Sequence, residues 1–203
     1  MLLRTFLLGP YRNFTYLVAE AEGGDGVVID PSYGIDPVLA AVDESGVKVR
    51  YILNTHGHPD HVAGNADVRS RTGGKVVAHR STSLEPDRHV DDGERLEAGR
   101  LRFEVRHVPG HTPDSVLYLF EGNVATGDTL FVGECGRTDL PGGDPGRLYD
   151  SLFGTVVRLA DATVVLPGHD YGPTPTSTIG REKAENYVLV PRTRDEFIRF
   201  MAA

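Results

Sequence analysis

Apolar and polar positions divide the chain into short strand-like runs broken by glycine and proline, with a few amphipathic helix-length stretches between them. Residues 2–8 and 14–19 read as strands around a Gly9-Pro10 turn, with Asn13 and Thr15 as turn residues beside them. Gly23-Gly24-Asp25-Gly26 is a tight turn, and residues 27–29 form a buried strand that ends at Asp30-Pro31. Asp36 as N-cap and Pro37 at the first helical position open a helix whose apolar face is Val38, Leu39 and Val42, and Gly46 closes it. A strand over 49–53, a helix over 62–71 stopping at Gly73-Gly74, and a strand over 75–78 follow. Residues 80–95 are polar and weakly patterned, which predicts loop with at most a turn or two of helix.

The second half repeats the plan. Leu101, Phe103, Val105 and, more loosely, His107 alternate as in a half-buried strand over 101–108. Residues 116–120 and 123–126 form a hairpin around Glu121-Gly122. Asp144-Pro145 opens a capped helix with Leu148, Leu152, Val156 and Leu159 on one face, and residues 163–166 form a last strand. Thr193 and Glu196 make a capping box ahead of the stripe Phe197, Phe200 and Met201. Each half therefore runs strands, helix, then a strand ending in histidine. Two sheets stacked face to face, with helices outside, satisfy that pattern.

Composition narrows the class. The 203 residues fit a single domain over 1–203, 39% hydrophobic and 25% charged. Twenty-one basic against 29 acidic residues leave a net charge of −8, which argues against nonspecific nucleic-acid or anionic-membrane binding. Cys135 is the one cysteine, so no intrachain disulfide forms and a reducing compartment is expected. The apolar start is broken by Arg4, Gly9, Pro10, Arg12 and Asn13, unlike a signal peptide or a membrane span, so a cytoplasmic location is expected. A single domain of this kind is compatible with a homodimer.

The chemistry gathers at strand ends. Asn54-Thr55-His56-Gly57-His58-Pro59-Asp60-His61 follows an apolar strand and sets four imidazole or carboxylate side chains within six residues. Pro59 keeps His58 extended, because the residue before proline is biased away from the α region. His111, Asp128 and His169 likewise follow strand ends, each beside glycine, proline or threonine. Singly, each reads equally well as an ordinary loop residue. Together they are seven histidines and aspartates with no cysteine, a set suited to an open site for divalent metals rather than to a closed thiolate zinc site. His56, His58 and His111 would hold one metal, Asp60, His61 and His169 a second, and Asp128 would bridge. Two such cations lower the pKa of bound water to about 7, and Asp60 would serve catalysis by orienting that water and carrying its proton. Zinc is the first choice for the two divalent metals, with iron or manganese as alternatives.

The His56-x-His58-x-Asp60-His61 motif with His111, Asp128 and His169, in that order, resembles the metallo-β-lactamase superfamily. The resemblance runs from about Val27 to Asn186 and implies a mixed α and β fold, the four-layer αββα sandwich. Thr126-Gly127-Asp128-Thr129-Leu130-Phe131, Cys135-Gly136-Arg137 and Gly168-His169-Asp170-Tyr171 are similar to the hydroxyacylglutathione hydrolases, or glyoxalase II. That likeness implies hydrolysis of a thioester on a small thiol-conjugated substrate, with Arg137 and Tyr171 contacting its glutathione part. The longer glyoxalase II enzymes carry a helical C-terminal region, which is not expected in a sequence that ends at Ala203.

Cys135-Gly136-Arg137-Thr138-Asp139, with His169-Asp170-Tyr171 and Ser177-Thr178, looks equally like the persulfide dioxygenases. These share the fold and the seven positions but use a single Fe(II), which on this chain would fall to His56, His111 and Asp128, and they oxidise glutathione persulfide. A metal-binding module without turnover is the third reading. Among the remaining polar residues, Asp170 is a candidate partner for a ligating histidine, while His79, His89 and His107 lie off the pattern.

Overall fold

A computed structural model of the chain describes residues 1–202. The first sheet holds β1 (Leu2–Leu8), β2 (Asn13–Ala19), β3 (Asp25–Ile29), β4 (Lys48–Leu53), β5 (Lys75–His79) and β6 (Arg88–Val90), in that order across the sheet. The second holds β7 (Arg95–Ala98), β8 (Leu101–His107), β9 (Val116–Phe120), β10 (Asn123–Gly127), β11 (Val164–Pro167) and β12 (Ser177–Thr178), again in sequence order. Helices α1 (Asp36–Ser45), α2 (Pro59–Val62) and α3 (Asn65–Thr72) belong to the first half, and α4 (Pro145–Gly154), α5 (Ile179–Glu185) and α6 (Arg194–Met201) to the second.

The period of two along each strand builds the layers. On β2, Phe14, Tyr16 and Val18 join Phe103, Val105, Val116 and Tyr118 in the core between the sheets. Leu17 and Ala19 of the same strand point the other way, to Val38, Ala41 and Val42 of α1 and Val68 of α3. Across the second sheet, Leu117, Val124 and Val165 face outward onto Leu148 and Leu152 of α4 and Phe197 of α6. Three apolar layers between four structural layers make the αββα sandwich.

Topology sets the working edge. β3–β4 and β10–β11 are parallel pairs, so each needs a helical crossover and each pair presents its carboxyl ends on one rim. The segments after β4, β10 and β11, and the loop between β8 and β9, hold the expected ligand positions.

Several local expectations need correction. The helix expected over 62–71 is two helices, α2 and α3, broken at Ala63-Gly64. It starts earlier because Pro59 fits the first helical position. It breaks because Gly64 packs against Pro31, to whose carbonyl its N–H donates at 2.8 Å, and a Cβ there would meet Ile35 at 3.0 Å. Ile35, not Asp36, is the N-cap of α1, with no side-chain cap bond, and Asp36 lies in the first turn. Residues 80–95 contain no helix; they contribute β6 as an edge strand, where Val90 alone is buried. α4 stops at Gly154 and passes into a 3₁₀ turn over Val156–Arg158, which still carries Val156 into the core. β12 and α5 have no counterpart in the sequence reading; Thr178 caps α5 by accepting from the Arg181 N–H at 3.2 Å. The capping box of α6 is present. Among the described residues no helix is long and apolar enough to cross a membrane.

Candidate metal centre

His58 is extended at φ −65° and ψ 143°, as proline at 59 requires, and α2 begins at once behind it. This turn sends His56 and His58 to one side and Asp60 and His61 to the other. Two sets form: His56, His58, His111 and Asp128, and beside them Asp60, His61 and His169, with the ligand atoms of each set within 4.8 Å of one another. Asp128, a member of the first set, also reaches the second. One oxygen, Oδ1, is 3.3 Å from His61 Nε2, and the other, Oδ2, is 3.4 Å from His111 Nε2 and 3.3 Å from His169 Nε2.

The outer nitrogens decide what the inner ones can do. His61 Nδ1 lies 3.0 Å from Asp30 Oδ2, His111 Nδ1 is 2.7 Å from the Arg137 carbonyl, and His169 Nδ1 is 2.8 Å from the Tyr11 carbonyl. The Thr55 hydroxyl donates to Asp30 at 2.6 Å and so accepts from His56 Nδ1 at 3.1 Å. Each of these four outer atoms faces an acceptor, so the network assigns its proton there and leaves the Nε2 lone pair pointing inward. The inward atoms then crowd together: His56 Nε2 and His111 Nε2 each lie 3.0 Å from His58 Nδ1, and His61 Nε2 lies 3.1 Å from His169 Nε2. Asp128 Oδ1 is buried with no hydrogen-bond partner. Converging lone pairs and an orphaned carboxylate oxygen, with no thiolate, are what divalent cations require of a site.

Electrostatics agrees. Burial holds His56 well below, and His58 below, the usual histidine range, favouring the neutral ring that ligates. Burial opposes charge on His61 as well, but Asp128 and Asp30 override it and raise that ring well above its ordinary value. Burial likewise works against the Asp128 carboxylate, and contacts with His61 and His169 still hold it well below the carboxylate range. These carboxylates favour positive charge at His61, the place a cation would take.

Two glycines let the backbone close around the ligands. A Cβ on Gly168 would meet Asp128 Oδ1 at 2.3 Å, and one on Gly136 would meet the Asp128 carbonyl oxygen at 1.9 Å and His111 Nδ1 at 2.9 Å. Asp30 and Asn13 also serve the centre, and the sequence reading passed over both. Asp30 looked like a strand-end residue before Pro31, although an acidic side chain directly after a buried strand is itself a signal. Asn13 looked like a turn residue, yet it is buried and its amide Nδ2 donates to Asp60 Oδ2 at 2.8 Å.

A cavity of about 760 Å³ opens in front of His58, Asp60, His111, Asp128 and His169. Tyr171 lines it and stacks flat on His169, with centroids 4.7 Å apart and planes 7° from parallel. Arg137 lines it too, but its exposed guanidinium is held by Asp139 through two 2.5 Å hydrogen bonds. Asp170 pairs with Arg12 and not with a ligating histidine. His79 and His107 stack on each other, 3.8 Å apart, tied to Ser81 and the Pro113 carbonyl. Tyr11, Leu140, Tyr171 and Tyr187, all large and exposed, border the same cavity and give it an apolar mouth.

Cys135 borders the cavity as a buried thiol, and burial, aided by Glu134, pushes it up to about 12. Against an ordinary cysteine near 8.5 its thiolate fraction at pH 8 falls by roughly three orders of magnitude. An aromatic disulfide reagent should therefore label the native protein at least about a hundredfold more slowly than the urea-unfolded chain. Similar rates in the two states would give the thiol an exposed, reactive position instead.

The sequence profile described as the metallo-beta-lactamase superfamily matches residues 8–169. A hydroxyacylglutathione hydrolase of Anaeromyxobacter dehalogenans is 45% identical over 161 residues, which span 78% of this chain and 62% of that protein. This chain thus covers less than two thirds of that relative. The human mitochondrial persulfide dioxygenase ETHE1 is 34% identical over 205 residues, 99% of this chain and 80% of that protein. Among solved structures, ETHE1 from Myxococcus xanthus superposes with a TM-score of 0.93 at 36% identity, covering 100% of this chain and 90% of that one.

Proposed function

Because this chain belongs to the metallo-beta-lactamase superfamily, we propose that it is a metal-dependent hydrolase cleaving a thioester of the hydroxyacylglutathione type. What supports two metals is the second cluster, Asp60, His61 and His169, beside the first, with Asp128 of the first 3.3 Å from both of its histidines; the persulfide dioxygenases share these positions, so the substrate class rests on sequence likeness. The 45% identity to a hydroxyacylglutathione hydrolase supports the same substrate class. Two divalent metals, zinc in the first instance, would sit on His56, His58 and His111 and on Asp60, His61 and His169, with Asp128 between. When bound, they supply Lewis acidity and make water acidic enough to lose a proton near neutral pH.

The chain's own residues do the rest. Asp60, whose Oδ2 is held by Asn13, orients the attacking water and takes its proton. Water adds to the thioester carbonyl, the C–S bond breaks, and the carboxylic acid and the thiol leave. The thiolate needs little assistance, because its conjugate acid is far stronger than an alcohol. Tyr171, packed edge to face on Phe131 with centroids 5.3 Å apart, presents an aromatic wall at the cavity mouth for the glutathione part of the substrate. Arg137 receives a substrate carboxylate only by exchanging it for Asp139.

A second reading is a mononuclear iron persulfide dioxygenase using His56, His111 and Asp128. The similarity to persulfide dioxygenase ETHE1 over 99% of this chain favours it. One experiment separates the two: count the metals in protein from zinc- and iron-supplemented growth, then assay thiol release from a glutathione thioester beside oxygen uptake on glutathione persulfide. Two ions per chain with thiol release is the expected result. A single iron with persulfide-dependent oxygen uptake would replace the hydrolase with the dioxygenase. Metal bound with neither turnover would leave a binding module.

A further inference from the structure

We propose that the turn leading into β2, acting through Asn13 at the first position of that strand, decides whether the second ligand set holds a metal, and so whether the centre is mononuclear or dinuclear. This rests on the two-metal reading above and goes beyond it, because it assigns control of the metal count to a residue that is not a ligand.

The turn touches every member of the second set. Asn13 Nδ2 donates to Asp60 Oδ2 at 2.8 Å and lies 3.4 Å from His61 Nε2. The Tyr11 carbonyl accepts from His169 Nδ1 at 2.8 Å, and Asn13 forms a backbone bridge with His169. The Phe14 N–H donates to the Gly168 carbonyl at 2.8 Å, and the Asp170 N–H donates to the Arg12 carbonyl at 2.9 Å, fixing the chain on both sides of His169. The first set draws on other partners: Thr55 for His56 and the Arg137 carbonyl for His111. Among the described residues, no hydrogen bond joins residues 11–13 to His56, His58, His111 or Asp128.

Asp60 is where this control bears. It is the one member of the second set that is not buried, and it rides on a helix of four residues. Its Oδ2 lies 3.5 Å from both His61 Nε2 and His169 Nε2, so this is the oxygen the second set presents. Among the described residues the bond from Asn13 is the one hydrogen bond its carboxylate accepts. Asn13 occupies one lone-pair direction of that oxygen and leaves another facing the two imidazoles. Without the amide, a side chain with an open path to solvent turns away from the set. His61 and His169 then keep the shared Asp128 and lose their own carboxylate. Asn13 is thus a positioning residue, and it acts on one metal of the two.

The test is a zinc titration of chelator-stripped protein, followed by calorimetry with a competing chelator, on wild type, Asn13→Ala and Asn13→Leu. Leucine preserves the volume of the buried site while removing the donor, and circular dichroism checks the fold of both variants. Wild type should take up two ions. Both variants should hold the first within about twofold and bind the second roughly 10–100-fold more weakly, the usual cost of losing an outer partner of a ligand. Two ions bound by either folded variant as tightly as by wild type, or both ions weakened alike, would overturn the inference. A wild type that binds a single ion would overturn it together with the two-metal reading. Two ions in wild type with no thioester turnover would remove the hydrolase and leave Asn13 in its role.

Discussion

Alanine at position 128 is expected to empty both ligand sets and to lower turnover by at least about a thousandfold. Lewis-acid stabilisation by bound metal contributes several kcal/mol, and each 1.36 kcal/mol is a factor of ten in rate. The geometry concentrates this loss on one residue. Asp128 meets His61, His111 and His169 at 3.3–3.4 Å, so a single carboxylate serves both sets. Its Oδ1 is packed against Gly168 so closely that a Cβ there would meet it at 2.3 Å, which fixes the carboxylate in this position. Asp128→Asn separates charge from shape. The amide fits the space but turns one oxygen into a donor aimed where an acceptor is needed, so metal should still be lost while the fold is kept. Metal analysis and steady-state rates on all three proteins check this. Two ions and full turnover in Asp128→Ala would take Asp128 out of the centre altogether.

The parts of this arrangement that were legible in the sequence are those whose cause is local. Alternation on residues 101–108 and the apolar run on 49–53 report strands directly, because a side-chain period of two needs no partner to be seen. The clustered histidines and aspartates were legible for a different reason. Seven histidines and aspartates at strand ends form an improbable set, and parallel strands put such ends on one rim. The halves of the network that were not legible depend on chain crossings. Asn13 and Asp60 are 47 positions apart, and Asp30 and His61 are 31 apart. In sequence, both Asn13 and Asp30 look like the turn formers that their residue types favour. The break between α2 and α3 is of the same kind, since Gly64 ends the helix through a contact with Pro31 on another segment. Arg137 marks the opposite limit. Its residue type fits a substrate carboxylate and the nearby Asp139 equally well, and in the fold Asp139 occupies its fork.

Asp30→Ala is expected to cost about 3–5 kcal/mol of stability, the range for removing one partner from a buried charged network, or roughly 10 °C in Tm for a chain of this size. The buried carboxylate of Asp30 accepts from the Thr55 N–H at 2.7 Å, the Thr55 hydroxyl at 2.6 Å and His61 Nδ1 at 3.0 Å. Its backbone holds the left-handed φ of 47°, which aspartate and asparagine tolerate better than alanine. Asp30→Asn should divide these effects. Asparagine keeps the backbone conformation, and its Oδ1 still accepts from the Thr55 N–H. Its Nδ2 then stands where Oδ2 stood, facing both His61 Nδ1 and the Thr55 hydroxyl, which must accept there and turn its own proton toward His56 Nδ1. The His61 ring must turn its Nδ1 into an acceptor and carry its proton on Nε2, inside the second set, where a cation needs a lone pair. Asp30→Asn should therefore unfold within a few degrees of wild type when metal is chelated, yet bind metal much more weakly, at the second set through His61 and at the first through Thr55 and His56. Asp30→Ala should fail on both counts. Thermal unfolding with and without chelator, with metal counts beside it, separates the two roles. If Asp30→Asn binds two ions as wild type does, the proton on His61 Nδ1 is not what holds that imidazole ready for metal.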